Sequence, residues 1–177
     1  MTFMAVLAVV ATVTAPLGVP VPASAETSAR GEVHCVVEVQ AIDSVERQAA
    51  PQCFTTKAEA AGFLDASMTK ADAFSTSAAS SSVALGTVYA DINYGGSSLT
   101  MWGSSGCSNA TYGFGSLSGG WDSRISSAKA FNGCWVTLYK ATWYGGDRLN
   151  CTPNCSSVGS LNDQVRSIVF RPWGTFG

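Results

Sequence analysis

Residues 91–101 read DINYGGSSLTM and residues 141–151 read ATWYGGDRLNC, and the two stretches align without a gap at an offset of fifty. Tyr89, Tyr94, Gly95, Gly96 and Leu99 fall on Tyr139, Tyr144, Gly145, Gly146 and Leu149, spelling Tyr-x4-Tyr-Gly-Gly-x2-Leu twice. In an extended strand the odd spacing of the two tyrosines sends their rings to opposite faces. A glycine able to take positive φ lets the chain fold back between them, so that the first ring packs over a folded hairpin. A second echo closes each copy. WDSRISS (121–127) lies over LNDQVRS (161–167) at an offset of forty, which leaves the first copy with a loop ten residues longer. That loop holds Cys107 and YGFGSLSGG.

The segments around the repeat are short β-type runs, GTVYADI, SSLTMW, CWVTLYK and RSIVF, separated by Gly, Asn, Ser and Pro clusters. Their spacing predicts an antiparallel sandwich or barrel. Before Leu85 the chain differs. HCVVEVQAI (34–42) alternates as a short strand, and TTKAEAAGFLDAS (55–67) reads as a helix with capping-box spacing between Thr56 and Glu59. STSAASSS (75–82) has linker composition. Residues 26–86 carry eight acids against four bases, whereas 87–177 carry four against six, consistent with two differently built parts. The first has too few large apolar residues for a core of its own.

Residues 4–15, MAVLAVVATVTA, are too short to span a bilayer, which takes about 20 residues, and are followed by ASA at 23–25. We read 1–25 as a secretory signal peptide cleaved after Ala25. Six cysteines lie beyond that point, at 35, 53, 107, 134, 151 and 155. An even count in an exported chain points to disulfides, with 15 connectivities open. The expected set is Cys35–Cys53 in the N-terminal part, Cys151–Cys155 across CTPNC, and Cys107–Cys134 from what remains. No C-x2-C pair and a single histidine speak against zinc. A net charge of −2 with no basic stripe argues against nucleic acid, and against a membrane surface once the leader is gone.

Tyr-x4-Tyr-x-Gly followed by a stretch like Asn/Asp-Asn/Asp-x-x-Ser/Thr-Ser, present twice, resembles the Greek-key motif of the βγ-crystallins. The resemblance covers about 86–172. It implies an all-β domain in which two four-stranded Greek keys form a βγ-crystallin-like sandwich, each covering the apolar face of the other. The remaining organisation is a small N-terminal segment with one short helix and a Ser/Ala-rich linker (26–85), and a tail (173–177). The resemblance further implies paired Ca²⁺ sites drawing on both copies, with a hydroxyl at the fifth position of one stretch meeting an acid or amide of the other. The candidate metal residues are Asp122, Arg124, Ser126, Asn162 and Asp163. Arg166 occupies the fifth position of the second stretch, offers no oxygen and carries a fixed positive charge, so one weak site is expected near Ser126 and the other is lost.

No G-x-S-x-G or H-E-x-x-H motif occurs, and His34 stands beside a cysteine expected to be oxidised. We therefore expect a secreted, monomeric, non-enzymatic domain. The alternative is an inhibitor of secreted metallopeptidases or other peptidases, a function found among secreted microbial proteins of the same resemblance. Its candidate loops are Thr152, Pro153 and Asn154 inside the Cys151–Cys155 ring and, as the other, the longer loop over 103–120. The sequons at Asn109, Asn150 and Asn154 are expected to be bare.

Overall fold

A computed structural model describes residues 31–44, 47–74, 81–108 and 110–177. The expected leader, most of the 75–82 linker and the Asn109 sequon lie outside the described residues.

Each tyrosine-glycine segment builds a folded hairpin, and the two are held alike. The Ser127 hydroxyl donates to the Asp91 carbonyl (2.6 Å) and accepts the Tyr94 N–H (3.0 Å). The Ser167 hydroxyl does the same for the Ala141 carbonyl (2.7 Å) and the Tyr144 N–H (3.0 Å). Both serines are fully buried. Positive φ is needed at Gly96 (70°) and Gly146 (76°), as expected, and also at Asn93, Tyr94, Trp143 and Tyr144. A Cβ on Gly96 would collide with the Asp91 carboxylate. The tyrosines of each copy meet edge to face, with ring centroids 5.7 Å apart for Tyr89–Tyr94 and 6.0 Å for Tyr139–Tyr144.

The hairpins organise two sheets. Strands β4 (Val83–Tyr89), β5 (Ser98–Gly103), β6 (Tyr112–Phe114) and β7 (Ser127–Ala130) form the first key. Strands β8 (Cys134–Tyr139), β9 (Arg148–Cys151), β10 (Asn154–Cys155) and β11 (Ser167–Pro172) form the second. In each key the fourth, first and second strands lie side by side, and the third crosses to the other sheet. With β1 (His34–Glu38), β2 (Gln40–Ala41) and β3 (Gln52–Phe54) of the N-terminal segment, the orders are β10-β7-β4-β5-β1-β3 and β2-β6-β11-β8-β9. The exchange of β6 and β10 ties the keys together by main-chain bonds as well as by packing. Between the sheets lie Trp121, Ile125, Val165 and Ile168, together with Leu85, Val88, Leu138 and Phe170, all buried. The all-β, two-key architecture expected from the sequence is therefore present.

The N-terminal segment is more than a tethered appendage. Strand β1 (His34–Glu38) pairs in parallel with β5, β3 (Gln52–Phe54) pairs with β1, and β2 (Gln40–Ala41) joins the opposite sheet beside β6. Cys35, Val37 and Val39 belong to the main core, while Val36 faces the other way. Alternation thus buries both faces of β1, because the helix α1 (Lys57–Phe74) covers its outer face through Ala60, Leu64 and Met68. The capping box is formed: Glu59 N–H donates to the Thr56 hydroxyl and Thr56 N–H to the Glu59 carboxylate, each at 3.2 Å. The helix runs on to Phe74, past the expected stretch. The three disulfides are Cys35–Cys53, Cys107–Cys134 and Cys151–Cys155, the set taken from the sequence.

Replacing Ser127 or Ser167 by alanine leaves a hairpin N–H and a carbonyl without their partner, and each is expected to cost about 1–3 kcal/mol in urea denaturation; a loss below about 0.5 kcal/mol, within the range of an ordinary surface change, would show that the hairpins stand without them. Burial of Val37 and Val39 is worth about 1.5–3 kcal/mol each, a large share of a typical 5–15 kcal/mol. A fragment starting at residue 83 is accordingly expected to unfold at markedly lower urea than the whole protein. An unchanged midpoint would make the N-terminal strands dispensable.

Candidate functional site

The loops that close the two keys meet across the pseudo-twofold. The Ser123 N–H donates to the Val165 carbonyl (3.0 Å), and the Asp163 N–H donates to the Ile125 carbonyl (3.1 Å). Ser123 and Asp163 both take positive φ, at 57° and 54°. Next to them the Ser126 N–H donates to the Tyr89 carbonyl (2.9 Å) and the Arg166 N–H to the Tyr139 carbonyl (2.8 Å). The crossing bonds are therefore duplicated, while the second loop adds a 3-10 turn over Gly159–Leu161, with the Asn162 N–H donating to the Gly159 carbonyl (3.1 Å) and the Gln164 N–H to the Leu161 carbonyl (2.9 Å).

At one position Arg166 crosses to Asp122. Its Nε lies 3.1 Å from Oδ1 and its Nη2 lies 3.1 Å from Oδ2, a two-pronged clasp between loops 44 residues apart. The Arg166 hydrogen bonds hold the Asp122 carboxyl below its ordinary value of 3.8, and the pairing raises the Arg166 guanidinium in turn. The Ser123 hydroxyl also donates to Asp122 (3.3 Å). This is the position expected from the sequence to be lost, and here a fixed cation of the chain itself neutralises the carboxylate.

At the other position the structure brings together Ser126, buried, with Asn162 and Asp163, exposed. The Asn162 side-chain amide donates to the Asp163 carboxylate (2.7 Å), and the Ser126 carbonyl accepts the Val158 N–H (2.9 Å). The available donors are a hydroxyl, an amide oxygen, one carboxylate and main-chain carbonyls, all hard oxygens of the kind Ca²⁺ takes. Only one carries a charge. Among the described residues no cluster of three or more His, Cys, Asp or Glu could hold a metal. The Arg124 side chain is committed elsewhere, donating to the Ser97 hydroxyl (2.9 Å) and lying 5.4 Å over the Trp121 ring. Of the five candidate metal residues, Ser126, Asn162 and Asp163 share one loop pair, whereas Asp122 belongs to the Arg166 clasp and Arg124 has only its main chain to offer.

The CTPNC turn is exposed at Thr152, Pro153 and Asn154. Its backbone is not free on both sides: the Pro153 carbonyl accepts the Ala130 N–H (3.2 Å), and β10 pairs with Lys129 and Ala128 of β7. Cys35 is disulfide-bonded, which withdraws it as a nucleophile beside His34.

No protein-family model matches the chain, and no curated protein does. The solved structures it is similar to are βγ-crystallin domains. One from an archaeon is 28% identical over 51% of this chain and 98% of its own, with a TM-score of 0.38. One from Flavobacterium johnsoniae is 26% identical over 52% and 99%, with a TM-score of 0.37. One from Clostridium beijerinckii is 24% identical over 49% and 97%, with a TM-score of 0.39. The likeness spans about half of the chain, as did the resemblance read from the motifs.

Because the clasp depresses the Asp122 carboxyl, its stabilising effect is fully present above the ordinary carboxyl value and is lost as pH falls through the depressed one. Both side chains are about half exposed, so the effect is small. Urea midpoints of the protein and its Asp122→Asn variant should differ at pH 7 and converge as the pH is taken toward about 2. A gap that stays constant through the acid range would assign it to something other than this carboxylate.

Proposed function

We propose that the chain is an exported, disulfide-braced protein with a βγ-crystallin-like domain that works without catalysis, and that its paired loops keep one weak Ca²⁺ position and have given the other to arginine. The observation that carries this reading is the Asp122–Arg166 clasp on loops whose crossing main-chain bonds are duplicated. An ion at the second position would be held by the Ser126 hydroxyl, the Asn162 amide oxygen and the Asp163 carboxylate, joining loops from both keys. With a single carboxylate, affinity belongs in the weak extracellular range, on the order of 10⁻⁴ to 10⁻³ M. Export is supported by three disulfides, which persist in oxidising compartments. Among the described residues no helix is long and apolar enough to cross a membrane.

The second reading, inhibition of a secreted peptidase, has in its favour the exposed and covalently closed turn at Thr152–Asn154. Its attachment to β7 along one side counts against it, since a cleft-binding loop needs a free main chain to pair with the enzyme.

Calorimetric titration of the whole protein with CaCl₂ is expected to show one weak site. Ser126→Ala should remove the heat, whereas Arg166→Ser, by restoring a hydroxyl and freeing Asp122, should add a second site. Silence of the unmodified protein up to about 10 mM, well above the weak extracellular range, ends the calcium reading. Thermolysin and subtilisin assayed with increasing amounts of the protein should keep their activity. A stoichiometric loss of either would favour the inhibitor instead.

A further inference from the structure

The face of the first sheet that carries β7, β4, β5 and β1 presents two rows of side chains, polar except for Val36. Lys129, Thr87, Thr100 and Val36 stand in cross-strand register, and beside them stand Tyr89, Ser98 and His34. Thr87 and Thr100 share a hydrogen bond (3.0 Å), and His34 Nδ1 lies 2.9 Å from the Ser98 hydroxyl. The second key repeats part of this pattern, with Thr137 bonded to Asn150 (2.6 Å) and Tyr139 against Tyr144. The surroundings differ. Lys129 corresponds to Val169, and among the described residues the one α-helix lies on the first key's face alone. There α1 and β1 turn an open sheet face into a cavity of about 310 Å³.

The cavity is chemically lopsided. Val36, Ala60, Ala61 and Leu64 supply an apolar wall, while Lys57 and Lys129 supply two ammonium groups, and no carboxylate lines it. The nearby acid Glu32 stands 3.9 Å from His34 Nε2. Lys129 is positioned by the Tyr94 ring, with its Nζ 4.1 Å from the ring centroid. Lys57 is the first residue of α1, where the helix end is itself positive. Its field reaches the cavity: His34 is pushed toward the neutral form by burial first and by Lys57 second, against the pull of Glu32. Two cations, hydroxyl donors and a neutral imidazole around an apolar wall suit a molecule with one anionic oxygen group and a short hydrocarbon body.

We infer that the cavity between α1 and the outer face of the first sheet is a binding site for a small organic carboxylate, with Lys57 and Lys129 taking the anionic group and Val36, Ala60 and Leu64 the apolar body. It is independent of the calcium reading and shares no residue with it.

The test is an NMR titration of the labelled whole protein with sodium octanoate, with neutral octanamide and inorganic phosphate as comparisons. Octanoate is expected to saturate, with shifts centred on α1, β1, β4 and β5. Octanamide should bind at least about tenfold more weakly, since a hydrogen bond to a charged group is worth about 1.5–3 kcal/mol. The double variant Lys57→Met, Lys129→Met should lose binding, and Lys140→Met on the other key's hairpin should retain it. Ala61→Leu, which keeps a good helix former and both lysines but fills the cavity, should also block binding while the spectrum stays folded. The inference falls if octanamide binds as well as octanoate, if the double variant or Ala61→Leu binds normally, if phosphate displaces octanoate at equal concentration, or if octanoate does not saturate.

Discussion

Two buried hydroxyl groups, those of Ser127 and Ser167, hold this architecture in place. Each stands at the start of the last strand of its key and closes the folded hairpin made by the first two strands, taking an N–H and giving its proton to a carbonyl. Without that two-way bond the hairpin would leave main-chain groups unpaired in a place sealed from water. It also keeps consecutive residues at positive φ, a conformation costly for Tyr94 and Tyr144 and tolerable only where the surroundings impose it. The strand that carries each serine is thereby joined to its hairpin. The third strand is left to cross to the other sheet, and the closing loops meet at the pseudo-twofold.

Function is most legible where the twofold is broken. The bonds that cross between the two loops are matched, and the side chains diverge where Ser126 stands against Arg166, which clasps Asp122. An arginine that clasps Asp122 supplies a cation and spends the carboxylate at once. It joins the same two loops that an ion would join, with no dependence on what the medium contains. The outer faces of the sheets are broken in the same manner. A cross-strand hydrogen bond from a threonine (Thr87 to Thr100, Thr137 to Asn150) and a tyrosine pair appear on both, yet only the first lies under α1.

The N-terminal segment has a structural as well as a site-forming part. Strand β1 extends the first sheet in parallel to β5, contributes Cys35 and Val37 to the common core, joined there by Val39 just beyond the strand, and is stapled to β3 by Cys35–Cys53. Closing an 18-residue separation by a disulfide is worth about 3 kcal/mol in the chain-entropy picture. A segment too poor in apolar residues to fold by itself is in this way ordered by a sheet already present. On this side the first sheet ends at the three-residue β3.

The sequence alone determined the duplicated hairpins, the β-type runs, the capping box of α1 and the asymmetry between two equivalent loop positions. Each of these follows from local chemistry: glycine at a positive-φ turn, alternation in short runs, Thr56 three residues before Glu59, and Arg166 where the other copy has Ser126. The disulfide set was one choice among 15 until the fold brought the partners together. Only the tertiary structure decided that Arg166 reaches Asp122, 44 residues away, and that β1 enters the sheet in parallel. It alone gathers His34, Lys57 and Lys129 around one cavity. Such pairings depend on how elements pack across the pseudo-twofold and along a sheet edge. No spacing within one stretch of chain encodes that distance, so residues remote in sequence carry no sign of their meeting.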